Sequence, residues 1–141
     1  MTTCPFCNSD NRKIWQDALC QVVFADEPDY PGFCRVVTHQ HIKEMTDLPK
    51  AAQWQLMRVV FCVESAMRET LRPDKINLAS LGNQVPHLHW HIIPRYVDDK
   101  HFPNPIWTTP TAERYPKYQP LETLAALTHN IREKLSDISS Y

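Results

Sequence analysis

The chain predicts an α+β domain with a mainly antiparallel sheet, because its helical and strand signals come in blocks and do not alternate. Two short β-type stretches joined by a turn come first. One long helical periodicity follows, then two further strand-like stretches and a last helix. At 141 residues the chain is a single domain, with a core at about residues 4–95 and a proline-rich extension and helix over 98–141.

Leu-Cys-Gln-Val-Val-Phe-Ala over residues 19–25 suits a strand, and Asp26, Pro28, Asp29, Pro31 and Gly32 supply a turn. Residues 33–38 make the second half of a hairpin-like pair. Ala52, Leu56, Val59, Val60, Val63, Ala66, Met67 and Leu71 recur at three- and four-residue spacing, the mark of an amphipathic helix. Asp47 is the expected N-cap, Pro49 falls close to the first turn, and Pro73 ends the pattern. Residues 75–80 read as a third strand, and Gly82 and Asn83 mark a loop. Residues 88–93 read as a fourth strand stopped by Pro94. Pro103, Pro105, Pro110, Pro116 and Pro120 make 98–120 irregular, and a helix is expected over 121–135.

Composition narrows the partners. Hydrophobic residues make up 43% and charged residues 22%, with a formal net charge of -1. That balance gives no footprint for duplex DNA or an anionic membrane surface. No apolar run approaches the roughly 20 residues that span a bilayer. The start, MTTCPFCNSDNRKIW, has no basic segment followed by an apolar one, so no secretory signal is read there. Five cysteines without such a signal suit reduced thiols and a cytoplasmic location. Gly32 and Gly82 are the only glycines, so a Gly-rich phosphate loop is excluded.

The informative stretch is Pro86-His87-Leu88-His89-Trp90-His91-Ile92-Ile93-Pro94-Arg95. Alternation along a strand sends His87, His89 and His91 to one face and Leu88, Trp90 and Ile92 to the other. Three readings of that row stand side by side: a solvated or structurally hydrogen-bonded set, a metal site, or covalent catalysis by an imidazole. Spacing alone does not separate the last two. Cys4 and Cys7 have zinc-like spacing but supply two ligands; His41 is a third candidate, and His39 or the triad face a fourth. Free thiols are the plain alternative.

His-Leu-His-Trp-His followed by Ile-Ile-Pro-Arg resembles the His-x-His-x-His-x-x signature of the histidine triad superfamily. Phe24-Ala25-Asp26-Glu27-Pro28, Tyr30-Pro31-Gly32, Val36-Val37, His41-Ile42 and Thr46-Asp47-Leu48 resemble its upstream pattern in order, and Cys4-Pro5-Phe6-Cys7 its frequent Cys-x-x-Cys. The resemblance implies the histidine-triad fold, a homodimer whose sheets join, and a nucleotide substrate with an adenylate-type half. His89 would attack the α-phosphorus to give a nucleotidyl-histidine, with His87 and His91 holding the phosphate oxygens. The reaction would hydrolyse a nucleoside phosphoramidate or a dinucleoside polyphosphate. Imidazolium and backbone N–H groups would meet the charge developing on phosphorus, so the scheme requires no metal or other cofactor. Relatives with the cysteine pair sometimes hold a structural zinc. Asp26 matches the position that holds ribose hydroxyls, and Asn77 the asparagine before the triad loop.

Departures from the pattern bear on the substrate. Gln84 stands where a small hydroxyl residue commonly faces the leaving group, and the loop from Asn77 to His87 is several residues short. Phe33 replaces a histidine, and Arg35 replaces an aliphatic residue. Arg95 is a candidate phosphate contact, with a surface ion pair as the plain alternative. Trp90 should be buried opposite the triad, and His101 and His129 exposed. Trp107 lies in a tail that in this superfamily can reach the neighbouring subunit's site. Two other functions compete with hydrolysis: a nucleotide- or metal-binding module with vestigial activity, and a transferase that uses phosphate as acceptor.

Overall fold

In the computed structural model, residues 4–7, 12–111 and 113–138 are described. Five strands form one antiparallel sheet: β1 (Lys13–Gln16), β2 (Cys20–Phe24), β3 (Cys34–Thr38), β4 (Lys75–Ala79) and β5 (His89–Arg95). Their order is β1-β2-β3-β5-β4. Two helices, α1 (Lys50–Leu71) and α2 (Leu121–Ser136), complete the mixed α+β architecture.

Both helices cover one face of the sheet. The fully buried stripe Leu56, Val59, Val60, Val63 and Met67 of α1 packs on Val22, Val36 and Ile92, and Leu127 and Ile131 of α2 seal its other flank. That cluster has the 3.6-residue period on the helices and the two-residue period on the strands. The opposite face has a smaller apolar cluster of Ala25, Tyr30, Phe33 and Ile93, covered in part by Ile106. The histidines lie on this second face.

Several element boundaries differ from the sequence expectation. Asp47 does not cap α1. It closes a short 3-10 turn, Met45–Asp47, in which its carboxylate accepts the Glu44 N–H at 3.1 Å, and Pro49 takes the capping position of α1. Pro94 does not end β5, which runs on to Arg95. Beyond Ile92 the strand pairs with β4 alone, so Pro94 sits on a local edge where a missing N–H is tolerated. β1 was not foreseen, because Lys-Ile-Trp-Gln is short and buries one residue fully, Ile14.

Gly32 ends the β2–β3 turn at φ +92°, a conformation that favours glycine, and a Cβ there would lie 2.5 Å from Leu71 Cδ1. The turn therefore seats directly on the end of α1. Arg72 ends α1 in the left-handed region ahead of Pro73. No helix among the described residues is long and apolar enough to cross a membrane.

Candidate active site

β5 carries the site. His89 and His91 lie on it, while His87 sits two residues before its start, and all three are buried. Leu88 and Ile92 point into the main core as alternation requires. Trp90 is half-buried against that core, and its indole N–H donates to Met45 Sδ at 3.4 Å.

The environments of the three rings differ. His89 Nδ1 lies 2.6 Å from the His87 carbonyl oxygen. A carbonyl only accepts, so Nδ1 carries the proton and Nε2 keeps its lone pair. Burial pulls the His89 pKa below its ordinary value, the His87 carbonyl opposes this, and Arg35 adds to the depression. His91 is 4.7 Å from His89 between ring centroids, with Phe33 at 5.6 Å and Trp107 at 5.0 Å. Burial, then the charges of His89 and Arg35, lower its pKa to about 3. Its Nδ1 is buried without a hydrogen-bond partner.

His87 turns away from the cavity. Its Nε2 donates to the Thr38 carbonyl at 2.7 Å, which leaves Nδ1 unprotonated. That Nδ1 lies 3.4 Å from Cys4 Sγ, 3.5 Å from Cys7 Sγ and 3.2 Å from His41 Nδ1, and Cys7 Sγ lies 3.2 Å from His41 Nδ1. The four ligand atoms all fall within 4.8 Å of one another. Ligands about 2.0–2.3 Å from a central zinc ion define tetrahedron edges of roughly 3.3–3.8 Å, so the spacing fits a closed four-ligand site. His87 thus completes the cluster. His39 does not join it, since its Nε2 lies 2.9 Å from the Asp17 carbonyl.

A cavity of about 300 Å³ opens over His89 and His91. Phe6, from the Cys4–Cys7 turn, lies against His89 with the ring centroids 4.6 Å apart and the planes tilted by 57°. Arg35 and Trp107 form two further walls, and Leu81, Gly82, Asn83, Gln84 and Val85 form the loop side. Gln84 therefore lies at the site, on the rim. Asp26 lines a neighbouring groove with Pro5, Phe6, Arg12, Phe24 and Arg35, and Arg12 pairs with its carboxylate at 3.2 Å. The two hollows share Phe6 and Arg35 as a common wall.

Two expected substrate contacts lie elsewhere. Arg95 is 2% exposed and donates to both Asp99 carboxylate oxygens, to Asn77 Oδ1 and to the Asn104 carbonyl. All of this holds the chain after β5 against the sheet. Burial alone would raise the Asp99 pKa, but Arg95 and three backbone N–H groups outweigh it and hold it at about 2. Arg95 and Asn77 thus act within the fold, outside the cavity. His101 is also a correction: it is buried against Tyr30, while His129 is exposed as expected.

Sequence reasoning gave no role to Phe6. The available signal was its place in the middle of a Cys-x-x-Cys turn, which any fold over the histidines would bring close. Arg35 stood out as a departure only. Its signal was one charge in the otherwise uncharged strand Cys-Arg-Val-Val-Thr, at the position that pairs with His91.

An antiparallel sheet bearing adjacent imidazoles over a cavity, backed by a dithiol–imidazole cluster, defines a histidine-based site. Comparison with known proteins gives its family. The HIT domain model matches residues 7–98. Among solved structures, the histidine triad protein blr8122 from Bradyrhizobium japonicum is 31% identical with a TM-score of 0.71, covering 86% of this chain and 88% of that one. A histidine triad protein from Marinobacter aquaeolei VT8 is 29% identical with a TM-score of 0.69 and 90% coverage of each chain. A Zn-bound histidine triad family protein from Mycobacterium smegmatis shares the fold at 22% identity and a TM-score of 0.68, covering 95% and 96%. No curated protein matches the chain. The chain belongs to the histidine triad family, with the α+β fold of that family. Membership supports a nucleotide-binding, hydrolase- or transferase-type function in general terms.

Proposed function

We propose that this protein hydrolyses a nucleotide at its α-phosphorus through a covalent intermediate on His89. One observation carries the proposal: the Nδ1–H of His89 is committed to the His87 carbonyl at 2.6 Å, while the ring borders the cavity. A neutral imidazole with a fixed tautomer is a ready nucleophile. Nε2 attacks phosphorus, the bond from phosphorus to the leaving group breaks, and the departing amine or phosphate takes its proton from water. The ring becomes cationic as the P–N bond forms, and the same carbonyl stabilises the Nδ1–H that now carries part of that charge. Water then attacks phosphorus and the P–N bond breaks. Nε2 recovers its lone pair and the proton goes to solvent.

The substrate is a nucleoside phosphoramidate or a dinucleoside polyphosphate. Asp26 would hold ribose hydroxyls in the groove that shares a wall with the cavity, and Gln84 would face the leaving group from the rim. Zinc would be bound by Cys4, Cys7, His41 and His87. There it would lock the Cys4–Cys7 turn, and so Phe6, against the sheet; it supplies structure and no step of the chemistry. The protein is a homodimer in the cytoplasm. The open edge of β4 and the exposed Trp54 (73%) and Phe61 (52%) on α1 support a pairing surface. Sedimentation at a mass of two chains is the expected result, and a single-chain mass contradicts it.

The test is product analysis with adenosine phosphoramidate and diadenosine polyphosphates for wild type and His89→Ala. Release of adenosine monophosphate by wild type alone supports the reading. Equal release by the mutant removes His89 from the chemistry. Added inorganic phosphate that diverts product to the diphosphate would identify a transferase.

A further inference from the structure

Arg35 has a setting that the histidine chemistry does not use. It lies on β3 directly across from His91, on the sheet face of the site, and it lines both the histidine cavity and the Asp26 groove. Its guanidinium carbon lies over two rings, 5.4 Å from the centroid of Phe33 and 5.6 Å from that of Phe6. A cation over a ring face spends no N–H on a lone-pair acceptor there, so the guanidinium fork is left to other partners.

That fork has no counter-ion. Arg35 is in no ion pair among the described residues, and its Nε is buried with no hydrogen-bond partner. Glu27 favours its charge from a distance without pairing with it, and the Asp26 carboxylate pairs through one oxygen with Arg12, not with Arg35. Among the residues lining the histidine cavity, Arg35 carries the one permanent charge. A part-buried cation with unused donors costs free energy that a bound anion recovers.

We propose that Arg35 is the anion-binding residue of this site, gripping the nonbridging oxygens of the phosphoryl group presented to His89. The inference rests on the proposed function above and adds to it the group that meets the charge. The ligand class is a nucleoside 5′-phosphate or its amide or anhydride, bearing at least one ionised oxygen on the α-phosphorus and spanning both hollows. The resemblance gives that charge to imidazolium and backbone N–H groups, with His87 and His91 on the phosphate oxygens. Enclosure between Phe33, Trp107 and His89 keeps His91 neutral, and Arg35 fills the role.

The experiment titrates adenosine monophosphate and adenosine into wild type, Arg35→Leu and Arg35→Lys, with turnover measured beside them. Arg35→Leu should weaken monophosphate binding by roughly 10- to 100-fold, the range for a hydrogen bond to a charged group. Adenosine affinity should stay within a few-fold. Arg35→Lys, which keeps the charge but not the fork, should recover only part of the loss. Should Arg35→Leu fail to melt cooperatively, Arg35→Gln replaces it with the same expectation. Undiminished monophosphate affinity in the neutral variant, or an equal fall for adenosine, overturns the assignment. If wild type turns substrate over while Arg35→Leu binds monophosphate normally, Arg35 is wrong and the His89 reading stands. If no substrate turns over yet Arg35→Leu loses monophosphate selectively, the anion site stands and the hydrolase reading falls. Wild type that does not bind monophosphate contradicts both.

Discussion

His89 and His91 are two residues apart on one strand, and the sheet gives them different surroundings. His89 has a backbone carbonyl for its Nδ1–H, whereas His91 has aromatic walls and an unpartnered Nδ1. The groups facing His91 are His89, Arg35, Phe33 and Trp107, none of them acidic. Its folded pKa of about 3 lies below its ordinary value, so the unfolded chain protonates first as pH falls. Its contribution to stability is therefore complete above about pH 6.5 and is lost as pH falls toward about 3. His91→Asn should flatten the decline in urea midpoint between pH 7 and pH 4.5, relative to wild type. An unchanged slope would show that His91 titrates normally. At this scale the sequence was legible where alternation decides, as for His89 and His91. It was not legible for Arg95, whose burial depends on Asp99 and Asn104 folding back across it from an irregular tail.

At the scale of elements, the periodic segments were the readable ones. α1 was legible from its apolar stripe, and the strands flanking it from β-branched residues between turn signals. β1 was not, since four residues with one fully buried position carry too little pattern. The turn before β3 depends on Gly32: alanine there must hold a φ of +92° and displace Leu71. Gly32→Ala should cost about 1–3 kcal/mol, read as a lowered urea midpoint at constant slope. A neutral result would mean that the turn relaxes freely away from α1. Leu56→Ala, in the fully buried stripe of α1, should cost about 2–5 kcal/mol by the same measurement.

For the whole molecule, the Cys4–Cys7–His41–His87 cluster and the cavity are two sides of one construction. His87 has its Nδ1 in the cluster and its carbonyl on the His89 Nδ1–H, so one residue ties the N-terminal turn to His89. Sequence joins Cys4, Cys7 and His41 as one ligand set and leaves the fourth place open between His39 and the triad face; the folding of β3 beside β5 puts His87 there and leaves His39 out. Metal analysis should find one zinc per chain. A chelator, or Cys7→Ser, should lower the melting temperature and slow turnover together, because Phe6 loses its anchor. Stability unaffected by metal removal would leave the cysteines as free thiols.

The most direct test of the account traps the intermediate. Wild type mixed with diadenosine polyphosphate is quenched within milliseconds in alkaline denaturant, where phosphorus–nitrogen bonds survive, and digested for mass spectrometry. The proposed mechanism requires an adenylyl adduct on the peptide containing His89, absent from His89→Ala. Steady turnover with no adduct on that peptide, or with the adduct on another residue, would contradict it.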